Sequence, residues 1–242
     1  MKQRTELTPG RVETDGPVAR KSTSGDVAAF LKHAKATTPR VAGARGRLVF
    51  ALDATMSRQP TWDLACDLQA SMFDAAASAG GLDVQLAYFR GHREAQASRW
   101  VGDARALKGL MTGIRCHGGL TQIGRILDHA EKTATKAPLA ALAYVGDAME
   151  EDIDALCHKA GRLAVRGTRA FMFLEGGNAT AEQAYREIAR LTNGAFLPFD
   201  ARSADELRAL LGAVATFAAG GRAALEASGT GAARRLLSDM RS

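Results

Sequence analysis

Residues Leu48-Val49-Phe50-Ala51-Leu52 are an unbroken apolar run that closes on Asp53 and continues with hydroxyls at alternate positions, Thr55 and Ser57. A run of this length, uncharged between Arg47 and Asp53 and followed by Pro60 and a helical pattern, reads as a strand covered on both faces. Such strands occupy the middle of parallel α/β sheets. In those sheets ligands bind beyond the carboxyl ends of the strands, which is where Asp53, Thr55 and Ser57 fall.

The remaining pattern builds a sheet around that strand. A helix beginning near Trp62 carries Leu64, Ala65, Leu68, Met72, Phe73 and Ala76 inward and stops at Gly80-Gly81. Leu82 to Arg90 alternates as a strand, and the turn Arg90-Gly91-His92 leads into a second strand, Glu94 to Val101. A hairpin this tight demands antiparallel pairing, and Arg93, Glu94 and Arg99 suit an exposed edge. Asp103 is placed to cap a helix over 104–114. A helix starting at Thr121 carries Ile123, Ile126, Leu127 and Ala130, and a second apolar strand, Leu139 to Val145, ends near Asp147. Helix and strand then alternate to a last core helix over 204–218. The expected fold class is α/β: a doubly wound, Rossmann-like sheet, mostly parallel with one short antiparallel edge strand and helices on both faces.

Asp53, Thr55 and Ser57 offer one carboxylate and two hydroxyls, donors that suit a hard divalent cation. Three oxygens leave an octahedron incomplete, and two further segments can add to it: Gly118-Gly119-Leu120-Thr121 and Tyr144-Val145-Gly146-Asp147. Taken alone, Thr121 is an ordinary helix cap; its order between two aspartate motifs favours a ligand. The ordered set Asp53-x-Thr55-x-Ser57, Thr121, Asp147 resembles the metal-ion-dependent adhesion site of a von Willebrand factor A domain of the intracellular bacterial type. The resemblance covers about 45–220.

It implies Mg²⁺ or Mn²⁺ approached most closely by Ser57, by Thr55 or a water that Thr55 holds, and by Thr121, with Asp53 and Asp147 acting largely through bound water. It further implies that the open coordination position accepts an Asp or Glu carboxylate from a partner protein, in a setting such as an ATPase or an assembly complex. Two departures stand out: Thr55 occupies a position the family more often gives to Ser, and Asp147 sits in Val-Gly-Asp-Ala rather than Ser/Thr-Asp-Gly. A scaffold with a vestigial metal site is the alternative that the second departure motivates. Arg58, Gln59 and Trp62 come from the same sheet end and are candidates for a partner-binding rim, Trp62 having packing at the helix start as its other reading. Glu150 and Glu151 are read either as acids attracted to the following helix's positive end, or as groups that add negative field to the metal or occupy the partner's position.

The formal charge of +6 is located in one place: residues 1–47 hold ten Lys/Arg against four Asp/Glu, while the rest of the 242 residues is balanced. The domain map is a basic arm over 1–44, largely without fixed structure apart from a short helix over 27–36, then the α/β domain over 45–220, then a tail over 221–242. The arm motivates a further alternative, binding to nucleic acid or an anionic surface, although Phe30 is its only aromatic. No run approaches a membrane span, the polar start lacks a signal core, and three unspaced cysteines suit reduced thiols, so the expectation is a cytoplasmic protein. Enzymatic readings find little support: no nucleophile and base are paired, Thr55 stands where an aspartyl phosphotransferase needs a second acid, and no glycine-rich phosphate loop follows Asp53. Cys116-His117 and Cys157-His158 lack the spacing of a zinc site.

Overall fold

Alternation along β1 (Gly46–Asp53) decides the architecture. In the computed structural model, which describes residues 45–55, 59–200 and 203–240 and only the backbone at 59–61, β1 is buried over nearly its whole length. Leu48, Phe50 and Leu52 enter one core, Val49 and Ala51 the other, as a period of two requires. β2 (Leu82–Arg90), β4 (Ala141–Gly146), β5 (Arg169–Glu175) and β6 (Ala195–Phe199) divide their side chains in the same way, and β3 (Glu94–Val101) closes one edge. The order is β3-β2-β1-β4-β5-β6, with every neighbouring pair parallel except β2 and β3. The doubly wound, mostly parallel sheet with one antiparallel edge strand therefore stands as the sequence pattern predicts. The expected arm over 1–44, with its helix over 27–36, lies outside the described residues.

Helices α1 (Gln59–Ala77), α2 (Ala104–Met111), α6 (Ala204–Ser228) and α7 (Gly231–Asp239) cover the face that takes Phe50, and α3 (Ile123–Lys136), α4 (Ile153–Val165) and α5 (Ala179–Leu191) cover the face that takes Val49. Asp103 caps α2 by accepting the Ala106 N–H at 2.8 Å, as expected from sequence. The C-terminal segment departs from the sequence map. Gly220-Gly221 reads as a helix terminator, yet α6 runs on to Ser228, kinked where Gly221 adopts φ 71°. Only glycine takes that angle without strain, so it bends the helix here rather than ending the domain. Beyond the kink Leu225, Ala233, Leu236 and Leu237 are buried in the first core, and the Arg235 guanidinium pairs with Glu206 and donates to the Pro198 carbonyl at 3.0 Å. Residues 221–240 thus pack as part of the body.

On the opposite face His129 of α3 sits over β2, its Nε2 at 2.9 Å from Gln85 Oε1 and 3.4 Å from Thr133 Oγ1. Burial, then the ammonium groups of Lys132 and Lys136, lower its pKa below the ordinary 6.5. A lowered folded pKa means that the unfolded chain binds the proton first, so this contribution to stability is present above about pH 6.5 and is lost as pH falls through the folded value. Urea titrations from pH 7.5 downward should show a steeper loss of unfolding free energy in the wild type than in His129→Gln, which keeps a donor for Gln85. Equal pH slopes in the two proteins would contradict this assignment.

Candidate metal centre

β1 and β4 are parallel neighbours in which Leu52 pairs with Val145, so Asp53 and Asp147 leave the sheet from adjacent strand ends. The chain runs outward from β1 to β2 and β3, then crosses back to β4 on the other side. This is the sheet's topological switch point, where the crevice of a doubly wound fold opens. Asp53 is 2% exposed, Thr55 8% and Thr121 6%, and Asp147 is half-buried. Asp53 Oδ1 accepts the Thr55 N–H at 2.8 Å, a local bond that turns the chain as it leaves the strand. Ser57 and Arg58, together with the side chain of Gln59, lie outside the described residues.

Thr121 reaches this crevice on a loop tied at three places. The His117 N–H donates to the Ala54 carbonyl at 3.0 Å, the Arg90 guanidinium donates to the Arg115 carbonyl at 2.8 Å, and Gly119 lies directly on the backbone of Gly91 in the β2–β3 turn. The helix that follows begins at Ile123, with Gln122 as the residue before it and no side-chain cap. Thr121 is therefore not the cap that its residue type suggests. Its hydroxyl accepts the Glu150 N–H at 3.0 Å, and its own N–H donates to Glu150 Oε2 at 2.9 Å.

Glu151 completes this grip. Its carboxylate accepts the N–H groups of Ile123 and of Gly124, the latter at 3.0 Å. The helix-end explanation for these acids holds for a different helix from the one it was applied to. α4 is capped by Asp152, which accepts the Ala155 N–H at 2.8 Å, whereas Glu151 serves the positive end of α3. Burial pushes the Glu151 carboxyl above the ordinary carboxylate range, although the Gly124 and Ile123 amides, Lys159 and Thr121 pull it back. The Thr121 hydroxyl uses one lone pair on the Glu150 amide, which leaves its second lone pair for a cation.

Trp62 corrects one expectation. It is 2% exposed, donates Nε1–H to the Met111 carbonyl at 3.3 Å and meets Tyr88 edge-on at 6.2 Å. The indole fills the space between α1, α2 and β2, so it belongs to the core and not to a rim. Tyr144 is wholly buried behind the crevice, and burial, Tyr185 and the charge of Asp53 hold its hydroxyl well above the ordinary tyrosine range. Tyr185 in turn donates to the Ala148 carbonyl at 2.9 Å, steadying the loop that carries Asp147.

The donor chemistry fits Mg²⁺ or Mn²⁺. A carboxylate as deeply placed as Asp53 is costly to keep ionised among strand ends, and a cation beside it offsets that cost. The oxygens that share this sheet end are hard donors, two carboxylates and the Thr55 and Thr121 hydroxyls. Among the described residues no three His, Cys, Asp or Glu are placed together to hold a metal ion, and Cys66, Cys116 and Cys157 are free thiols. Also among the described residues, no helix is long and apolar enough to cross a membrane.

No family model matches the chain, and no curated protein matches it either. Solved structures do. A von Willebrand factor type A structure from Catenulispora acidiphila superposes with a TM-score of 0.54 at 18% identity, covering 72% of this chain and 43% of that one. The SpRpn10 VWA domain gives 0.54 at 11% identity, with 68% and 95% covered. An aerotolerance-related membrane protein from Bacteroides fragilis gives 0.52 at 16% identity, with 67% and 94% covered. At these identities the likeness is one of fold, and the fold is that of a von Willebrand factor A domain.

Proposed function

We propose that this domain is a binding module and not an enzyme. In this reading it holds Mg²⁺ or Mn²⁺ through Asp53, Thr55, Ser57, Thr121 and Asp147, and the ion's open position takes an Asp or Glu carboxylate from a partner protein. The observation that supports it is the placement of Asp53 and Thr55 at the switch-point end of β1, with Thr121 on a loop tied to that same end and presented by its neighbours instead of serving as a cap. When bound, the ion supplies a positive centre for the partner's carboxylate. The domain's own contribution is to fix the oxygens and to keep the acids from neutralising that centre.

Glu150 has a second part in this reading. Its carboxylate is held at the Thr121 amide, beside the position that an incoming carboxylate would use, so it competes with the partner as a built-in substitute. Calorimetric titration of metal-free protein with Mg²⁺ and Mn²⁺ tests the proposal, and a saturable one-site isotherm is expected. No heat up to roughly millimolar metal, the range of weak extracellular calcium modules, would overturn it. On the metal-loaded protein an aspartate-bearing peptide should bind Glu150→Ala several-fold more tightly than the wild type. Equal affinity would remove the competing role of Glu150 while leaving the metal site standing.

A further inference from the structure

The two flanks of α3 carry opposite charge. Asp128 and Glu131 face α4, where Lys159, Arg162 and Arg166 pair with them. The other flank reads Arg125, His129, Lys132, Lys136, a 4-3-4 spacing that keeps four basic side chains on one stripe. Between this stripe and β3 lies an open groove of about 300 Å³, lined by Ala95, Gln96 and Ala97 from the strand and by Arg125, Ile126, Asp128, His129 and Lys132 from the helix, the Asp128 carboxylate being paired with Lys159 and Arg162.

This concentration of one sign departs from the rest of the surface. Several exposed bases elsewhere have acids beside them, as Arg45 has Asp83, Arg186 has Glu182 and Arg222 has Glu226. Among the described residues Arg125, Lys132 and Lys136 have no acid partner. The Arg125 guanidinium is tied instead to the Arg93 carbonyl at 2.6 Å, along the groove's rim. The local field is also felt by His129, whose pKa is lowered by burial and then by Lys132 and Lys136. The groove's other wall is the sheet's edge: β3 has a strand neighbour only in β2, so its outer backbone groups are open to pairing.

We propose that this groove takes an extended acidic segment of a partner protein, which adds to β3 as a further strand and lays alternate Asp or Glu side chains against Arg125, Lys132 and Lys136. The spacings agree. A strand added about 4.8 Å beyond β3 turns every second side chain toward α3, at intervals of about 7 Å. Along the helix Lys132 and Lys136 are separated by about 6 Å of rise, and Arg125 and Lys132 by about 10 Å, distances that long basic side chains span. A phosphate polymer would feel the same charge, but only a polypeptide supplies the amides and carbonyls that an open strand edge pairs with. The chain's own segment 1–44 carries eight Lys/Arg against four Asp/Glu, the wrong sign for this groove. The site requires no metal and stands apart from the proposed centre.

Fluorescence anisotropy in EDTA at low ionic strength, where surface charge is least screened, tests it with three labelled probes: a peptide alternating Glu and Val, a peptide alternating Glu and Pro, and oligo-deoxythymidine. The Glu-Val peptide should bind, and Lys132→Glu combined with Lys136→Glu, both exposed positions, should weaken it by roughly tenfold or more. The Glu-Pro peptide has equal charge and lacks the amide donors of a strand, and it too should bind roughly tenfold more weakly. Amide exchange across 94–101 should slow in the Glu-Val complex. Equal binding of the two peptides, tighter binding of oligo-deoxythymidine, or indifference to the charge reversal would each overturn the proposal.

Discussion

Replacing Asp53 with asparagine should abolish metal-induced stabilisation of this domain while leaving the metal-free protein within about 1 kcal/mol of the wild type. The asparagine Oδ1 keeps the bond from the Thr55 N–H that Asp53 makes at 2.8 Å, so the turn out of β1 survives. The charge is what disappears. In the metal-free state that removal is no loss, since a neutral amide costs less to bury at 2% exposure than a carboxylate does. With metal the two proteins diverge. An ion present at about 100 times its dissociation constant stabilises the folded state by about 2.7 kcal/mol, roughly a 5–10 °C rise in Tm for a domain of this size. Thermal unfolding with and without Mn²⁺ should show that rise in the wild type and none in Asp53→Asn. An equal rise in both would put the ion elsewhere, and no rise in either would speak against the centre itself.

The sheet was legible because its signals are local. Val49 and Ala51 alternate with Leu48, Phe50 and Leu52, and β2 follows the same rule up to the Arg90-Gly91 turn. What was misjudged depends on partners distant in sequence. Trp62 offers the same residue type whether it lines a rim or fills a core, and the Met111 carbonyl and Tyr88 ring that decide the matter come from other elements. Gly221 marks a bend and not an end, because Leu225 and Leu236 find apolar partners beyond it. At the site, the order of Asp53, Thr55, Thr121 and Asp147 could be read directly. The hold of Glu150 and Glu151 on Thr121 and on the start of α3 could not, since it spans 27–29 residues of chain. The basic stripe of α3 formed no part of the sequence reading, because its lack of acid partners and its place beside an edge strand are three-dimensional facts.

The second large effect concerns a residue that offers the metal no ligand. A Cβ at Gly119 would stand 2.2 Å from the Gly91 carbonyl oxygen and 2.6 Å from that residue's carbonyl carbon and Cα, all of it backbone. The two chains cannot both stay in place with alanine there, and the lighter one to move is the 118–121 loop. Overpacking of this kind costs about 1–3 kcal/mol. If binding requires the seated loop, the apparent metal affinity of Gly119→Ala falls by as much as roughly 5- to 150-fold, the range those energies correspond to. The neighbouring glycine supplies the control. A Cβ at Gly118 meets nothing within 4 Å and the residue takes no left-handed angle, so Gly118→Ala should bind metal as the wild type does. Both variants keep every candidate ligand and the whole core, so calorimetric titration of the pair separates the loop's seating from the donor chemistry. Equal affinities for the two alanine variants would show that Thr121 reaches the ion without the Gly91 contact, and the loop's three ties would then have to be explained by stability alone.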